Sequence, residues 1–131
     1  MKWIGKWKNQ YGSVLEITSV TDNMVTGTFR TALSDSGFYG NEIPVCGFCQ
    51  GDCIGISGGG MTGSGDMLVT YTGLLRGDTL QTIWLVVNDA AKLPQQDEES
   101  PRLIKQNWWK AVMVNSDTFE RVQNTQAPSG A

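Results

Sequence analysis

Asn9 and Ser13 stand four positions apart in the stretch GKWKNQYGS, residues 5–13, just behind Trp7 and among two glycines. A plain strand has no use for those glycines, and a plain loop has no use for Trp7. An amide and a hydroxyl so placed are hydrogen-bonding groups, and the alternation that follows says where the hydroxyl points. In SVLEITSV, residues 13–20, Ser13, Leu15 and Ile17 fall on one face of a strand, with Val14, Glu16 and Thr18 on the other. In MVTGTFRTAL, residues 24–33, Thr31 shares its face with Val25, Gly27 and Phe29. Two hydroxyls therefore lie on apolar faces. Buried hydroxyls need partners, and a small ligand with a polar head group, held among apolar walls, supplies them. Each residue alone also has a plainer reading. Ser13 after a glycine is ordinary turn chemistry, Asp117 in NSDTF can begin a turn, and Trp84 in TIWLVV can be core.

Composition narrows the remaining chemistry. The 131 residues include no histidine, which removes the commonest general base and the commonest metal ligand together. No paired acid and base stands out, so the chain is not expected to be an enzyme. A net charge of −3 and no basic stripe argue against nucleic acid or an anionic membrane surface as partner. No apolar run is long enough to span a bilayer as a helix. The opening MKWIGKW lacks the apolar core of a signal peptide, which leaves a cytoplasmic protein and a mature secreted form both open. Cys46, Cys49 and Cys53 in CGFCQGDC would need a fourth ligand to hold zinc, and no metal is expected. In an oxidising compartment a disulfide from Cys53 to Cys46 or Cys49 is an open alternative, with one thiol left over. RGD at 76–78 reads as hairpin-turn chemistry.

The elements that must carry these groups are strands. EIPVCGFC, DCIGIS, MLVTYTGLL, TLQTIWLVVN and WWKAVMVNSDTFERV follow the two strands above at short spacing, with turn signals between them. With the opening segment they make eight, and an all-β, antiparallel up-and-down barrel is the economical architecture because closure leaves no exposed edge. GGGMTGSG, residues 58–65, reads as a flexible glycine-rich turn. Residues 88–107 are polar, contain two prolines and exceed a hairpin loop, which predicts a lid or a disordered segment. Residues 123–131 read as a solvated tail. TIWLVV, residues 82–87, is apolar on both faces. With Leu68 outward on the preceding strand, that predicts a covered outer face, and a homo-oligomer.

The chain resembles the avidin/streptavidin family. GKWKNQYGS matches the family's Gly-x-Trp-x-Asn-x-x-Gly-Ser opening, TGTFRTAL its third strand, TIWLVV its seventh-strand tryptophan block and NWWKAVMVNSDTF its last strand; residues 34–66 match poorly. The resemblance implies one avidin-like barrel over residues 1–122 that binds biotin at its open end, with biotin as ligand and no cofactor. Asn9 and Ser13 would donate to the ureido oxygen, and Thr31 and Asp117 would accept the two ureido N–H groups. Trp84 would form an aromatic wall. Trp109, rather than Trp108, would be lent across a subunit interface of a dimer or tetramer. Leu33, Asp35, Val69, Tyr71 and Val86 complete the expected lining.

Departures from the family pattern predict weakened binding. Phe29 stands where the family has a tyrosine hydroxyl, Gly58 where it has a pocket tryptophan, and Tyr71 replaces a further tryptophan. Met67 and Val69 replace small hydroxyl residues, and Asp35 sits where the family offers the ligand carboxylate a donor. Two rivals follow: an avidin-like barrel for a different small ligand, and a lipocalin-like or structural barrel without a biotin site.

Overall fold

Burial that alternates along most of the long strands dictates the architecture seen in the computed structural model, which describes residues 2–32, 40–62, 65–93, 102–107 and 111–123. The strands are β1 (Gly5–Asn9), β2 (Val14–Thr21), β3 (Met24–Arg30), β4 (Glu42–Gln50) and β5 (Cys53–Thr62). They continue with β6 (Gly65–Arg76), β7 (Thr79–Asn88), β8 (Ala90–Leu93), β9 (Arg102–Lys105) and β10 (Val112–Arg121). Eight of them close an antiparallel barrel in the order β1-β10-β7-β6-β5-β4-β3-β2, and β8 and β9 form a separate two-stranded ribbon. Apart from that ribbon the connectivity is up-and-down, as the alternation predicts.

The two ends of the barrel differ. At one end, two-residue turns join β2 to β3, β4 to β5 and β6 to β7. Asp22 and Asn23 take positive φ there (52° and 68°), the left-handed pair that suits a tight hairpin. Asp78 of the RGD turn pairs with Arg121 at 2.9 Å, and Arg76 pairs with Asp52 at 3.4 Å, so this motif is tied into the barrel's own charges. Trp7, fully buried, plugs this end. Its indole N–H donates to the Trp3 carbonyl at 3.1 Å, and the Arg121 guanidinium lies over its ring at 4.3 Å. Leu15, Ile17, Val25, Leu80 and Phe119 share the core with it.

Two readings of the sequence need correction. Gly58–Thr62 is not a turn but the second half of β5, laddered to β6 from Gly58↔Val69 to Thr62↔Gly65. Backbones approach too closely there for side chains, since a Cβ on Gly59 would lie 2.3 Å from the Met67 carbonyl oxygen. Gly58 and Gly59 are a packing requirement. The segment 88–107 is also not structureless where it is described: β8 pairs with β9 from Ala90↔Lys105 to Leu93↔Arg102. Asp89 N–H donates to the Asp66 carbonyl at 2.9 Å, which ties the ribbon to the rim at the start of β6.

The cysteines are free, with Cys49 buried and Cys46 and Cys53 exposed, and the described residues contain no cluster suited to a metal. On the outer surface, Ile83, Leu85 and Val87 of β7 lie beside Val112 and Val114 of β10 and Leu68 of β6. All six are exposed, Ile83 at 62% and Val114 at 60%.

Candidate ligand-binding site

Asn9, the last residue of β1, is held by the loop it begins. Its side-chain oxygen accepts the backbone N–H groups of Tyr11 (3.0 Å) and Ser13 (2.9 Å), while its own N–H donates to the Ser13 carbonyl at 3.0 Å. Both bonds to the oxygen fix the amide's orientation, so its NH2 must face the barrel interior. There it donates to Asp117 Oδ2 at 3.0 Å. Aspartate in place of Asn9 could accept both turn N–H groups but would present no donor to Asp117. Glutamine would carry the amide one methylene further from the turn.

Asp117 lies on β10, inward by alternation with Phe119, and is 5% exposed. Besides Asn9 it accepts from Gln10 Nε2 at 3.3 Å and from the Tyr71 hydroxyl at 3.4 Å. Tyr71 packs at 5.6 Å between ring centroids against both Phe29 and Phe119. Burial first, and the neighbouring Asp117 charge second, push the Tyr71 pKa far above the ordinary tyrosine value, so its hydroxyl stays a donor. The hydroxyl absent at Phe29 thus has a counterpart on the facing ring, aimed at Asp117.

Ser13 and Thr31 meet across β2 and β3. Their hydroxyl oxygens lie 3.4 Å apart, and Ser13 Oγ accepts the Ala32 N–H at 2.8 Å. Both side chains are buried. The site's floor therefore combines an amide NH2, two hydroxyls and a carboxylate, set among the rings of Phe29, Tyr71 and Phe119.

Trp84 occupies the wall on β7, paired in register with Tyr71 on one side and Asn115 on the other. Its indole nitrogen is buried and, among the described residues, has no acceptor. Val69 and Val86 are register partners one step nearer the open end, beside Met113. Leu33, Asp35 and Trp109, with Trp108, lie outside the described residues.

Gly58 faces inward between Val45 and Val69. A Cβ there would meet the Pro44 carbonyl oxygen at 2.6 Å and Val45 Cγ1 at 2.7 Å, so β4 has closed over the space an aromatic wall would need. Sequence reasoning missed three residues. Gln10 anchors Asp117 and also accepts the Thr118 N–H at 3.0 Å. Asn115 and Met113 follow from period two counted back from Asp117, a signal present in the chain but unused.

The family model described as Avidin family matches residues 1–122. Among solved structures, a biotin binding protein from chicken is 20% identical, covers 92% of this chain and 96% of its own, and has a TM-score of 0.69. A rhizavidin-biotin complex is also 20% identical, with 96% and 97% of the two chains covered and a TM-score of 0.69. A bradavidin2-biotin complex is 19% identical over 91% and 96%, with a TM-score of 0.67. No curated protein sequence matches the chain.

Proposed function

This chain belongs to the avidin family, and from that membership we propose that it binds biotin by its ureido head group, as a binding protein and not a catalyst. The observation that carries the reading is the buried Asn9–Asp117 contact facing the Ser13–Thr31 pair. A ureido group offers one carbonyl acceptor and two N–H donors. The second amide hydrogen of Asn9 and the Ser13 hydroxyl suit the carbonyl; Thr31 Oγ1 and the Asp117 carboxylate suit the two N–H groups. Support comes from similar folds whose solved structures are biotin complexes.

The indole N–H of Trp84, buried and without an acceptor among the described residues, argues against the structural-barrel alternative, because such a donor costs about 1–3 kcal/mol unless something occupies the site. Trp84, Tyr71, Phe29, Val69 and Val86 form the walls in this reading, and Leu33, Asp35 and, lent by a neighbouring subunit, Trp109 complete them. The outer apolar face of β6, β7 and β10 is the surface for that second copy.

Affinity should lie below the family's ceiling, with a dissociation constant on the order of nanomolar to micromolar. Calorimetric titration with biotin tests the proposal. Measurable heat and a raised Tm support it; neither at millimolar biotin overturns it. The altered positions Phe29, Gly58, Met67 and Val69 favour, as second reading, a different small ligand on the same floor.

A further inference from the structure

The mouth of the barrel is built differently from its floor. One step above Trp84 the inward side chains are Val86, Val69 and Met113; beyond them Asn88 and Met67 are register partners. This wall offers a ligand tail methyl groups, a thioether and the neutral amides of Asn88 and Asn115. Among the described side chains, both cations at the same end are already paired. Arg30 pairs with Glu42 at 3.5 Å, and Lys105 pairs with Asp89. Asp66 adds a further acid where β6 begins.

The rim is also uneven. The β4–β5 ladder stops at Val45↔Gly58, where the next β4 residue is Pro44, which has no N–H to continue the pairing. The β5–β6 ladder runs on to Thr62↔Gly65. Gly60, inward by alternation with Gly58 on this stretch without a β4 partner, has no described atom within 4 Å of where its Cβ would be. The barrel wall thus has a notch beside β4, lined by glycine.

Resting on the biotin reading above, we propose that the site takes biotin whose valeryl carboxyl is joined in an amide, as on a lysine side chain, in preference to the free acid. A carboxylate moved from water to this wall loses hydration and finds no countercharge among the described side chains. An amide carries no charge, can hydrogen-bond to Asn88 or Asn115, and can continue outward through the notch over Gly60. Asp66, which no described ion pair takes up, adds like charge at the mouth that disfavours the free carboxylate and leaves the amide untouched.

Calorimetry with biotin, biotinamide and biotin methyl ester at pH 7.5 and pH 4 tests this. The amide and the ester should bind at least tenfold more tightly than the acid at pH 7.5. The gap should narrow at pH 4, where the ligand's carboxyl becomes largely neutral. In Met113→Lys, a cation on the half-exposed rim should bring the acid level with the amide at pH 7.5. If the acid binds as tightly as the amide in the unaltered protein, or if Met113→Lys leaves the preference unchanged, the inference falls and the head-group reading stands. If none of the three ligands binds, the head-group reading itself falls.

Discussion

The Asn9 side-chain amide donates to the Asp117 carboxylate at 3.0 Å across the seam where β1, the first strand, meets β10, the last. Closure of the barrel and assembly of the polar floor are therefore one event. Neither residue can be placed by its own hairpin alone, since 108 positions separate them.

Asp117→Ala tests that coupling. The substitution removes the acceptor of Asn9, Gln10 and Tyr71 together, leaving buried donors unpaired. Biotin binding should weaken by about 1–3 kcal/mol and stability should fall by a similar amount. Calorimetry and thermal melting read the two effects separately. Unchanged affinity with a lowered Tm would make Asp117 a purely structural closure.

Phe29→Tyr should tighten biotin binding by about 1 kcal/mol, through one more donor at the floor, while lowering the Tm of the ligand-free protein. The Phe29 ring is buried and packed on Tyr71, so the new hydroxyl has to be satisfied by the ligand or pay desolvation without it. Melting with and without biotin distinguishes these effects: the shift on adding ligand should be larger in the variant.

Gly58→Ala and Gly60→Ala should behave oppositely although both glycines face inward on β5. At Gly58 the added methyl meets backbone and side chain at 2.6 and 2.7 Å, an overpacking worth about 1–3 kcal/mol. At Gly60 no described atom lies within 4 Å, and the lost backbone freedom of the unfolded chain makes the change neutral or stabilising by up to about 1 kcal/mol. Urea denaturation of the two variants reads the difference. Equal destabilisation would mean that the β4–β5 seam is closed at both positions.

These two glycines also mark where sequence reading stopped short. Strands with alternating faces were legible because burial has period two: Ser13 with Leu15 and Ile17, and Thr31 with Phe29, are inward as read. GGGMTGSG defeated the same logic, since glycine carries no face and its strand propensity is poor. What holds Gly58–Thr62 extended is a neighbour, β6, and long-range pairing leaves no local signature. The β8–β9 ribbon escaped for the same reason. Gln10 escaped because its partner is Asp117, brought near only by closure. The family resemblance named Phe29, Asn9 and Asp117 as a set, but the Tyr71 hydroxyl bond to Asp117 was visible only once β6 and β10 were placed.

Ile83→Lys combined with Val114→Lys should convert the proposed oligomer to a monomer. Both side chains lie on the outer face, more than half exposed in the single chain, and neither packs in the core. Charges there oppose burial of the patch against a second copy while leaving the barrel intact. Sedimentation velocity at micromolar protein reads the state, and far-ultraviolet circular dichroism checks the fold. A monomer before substitution would remove the inter-subunit role proposed for Trp109.

Alkaline stability should depend on Tyr71. Folding raises its pKa, by burial first and the Asp117 charge second, whereas in the unfolded chain the phenol ionises near its ordinary value of about 10. The folded state therefore holds the proton more tightly. Below pH 10 both states carry it and the contribution to stability is complete. Above pH 10 the unfolded state loses it first, so stability falls by about 1.4 kcal/mol per pH unit for this one group until the folded pKa is reached. Tyr71→Phe removes the ionisable group and should flatten that decline, although it also removes the hydrogen bond to Asp117 and lowers stability at pH 7. Denaturant midpoints at pH 7, 9, 10 and 11 for the two proteins separate the constant loss from the pH-dependent one. Parallel declines above pH 10 would mean that Tyr71 ionises in the folded barrel as readily as in the unfolded chain, and that its hydroxyl is not the buried donor to Asp117 described above.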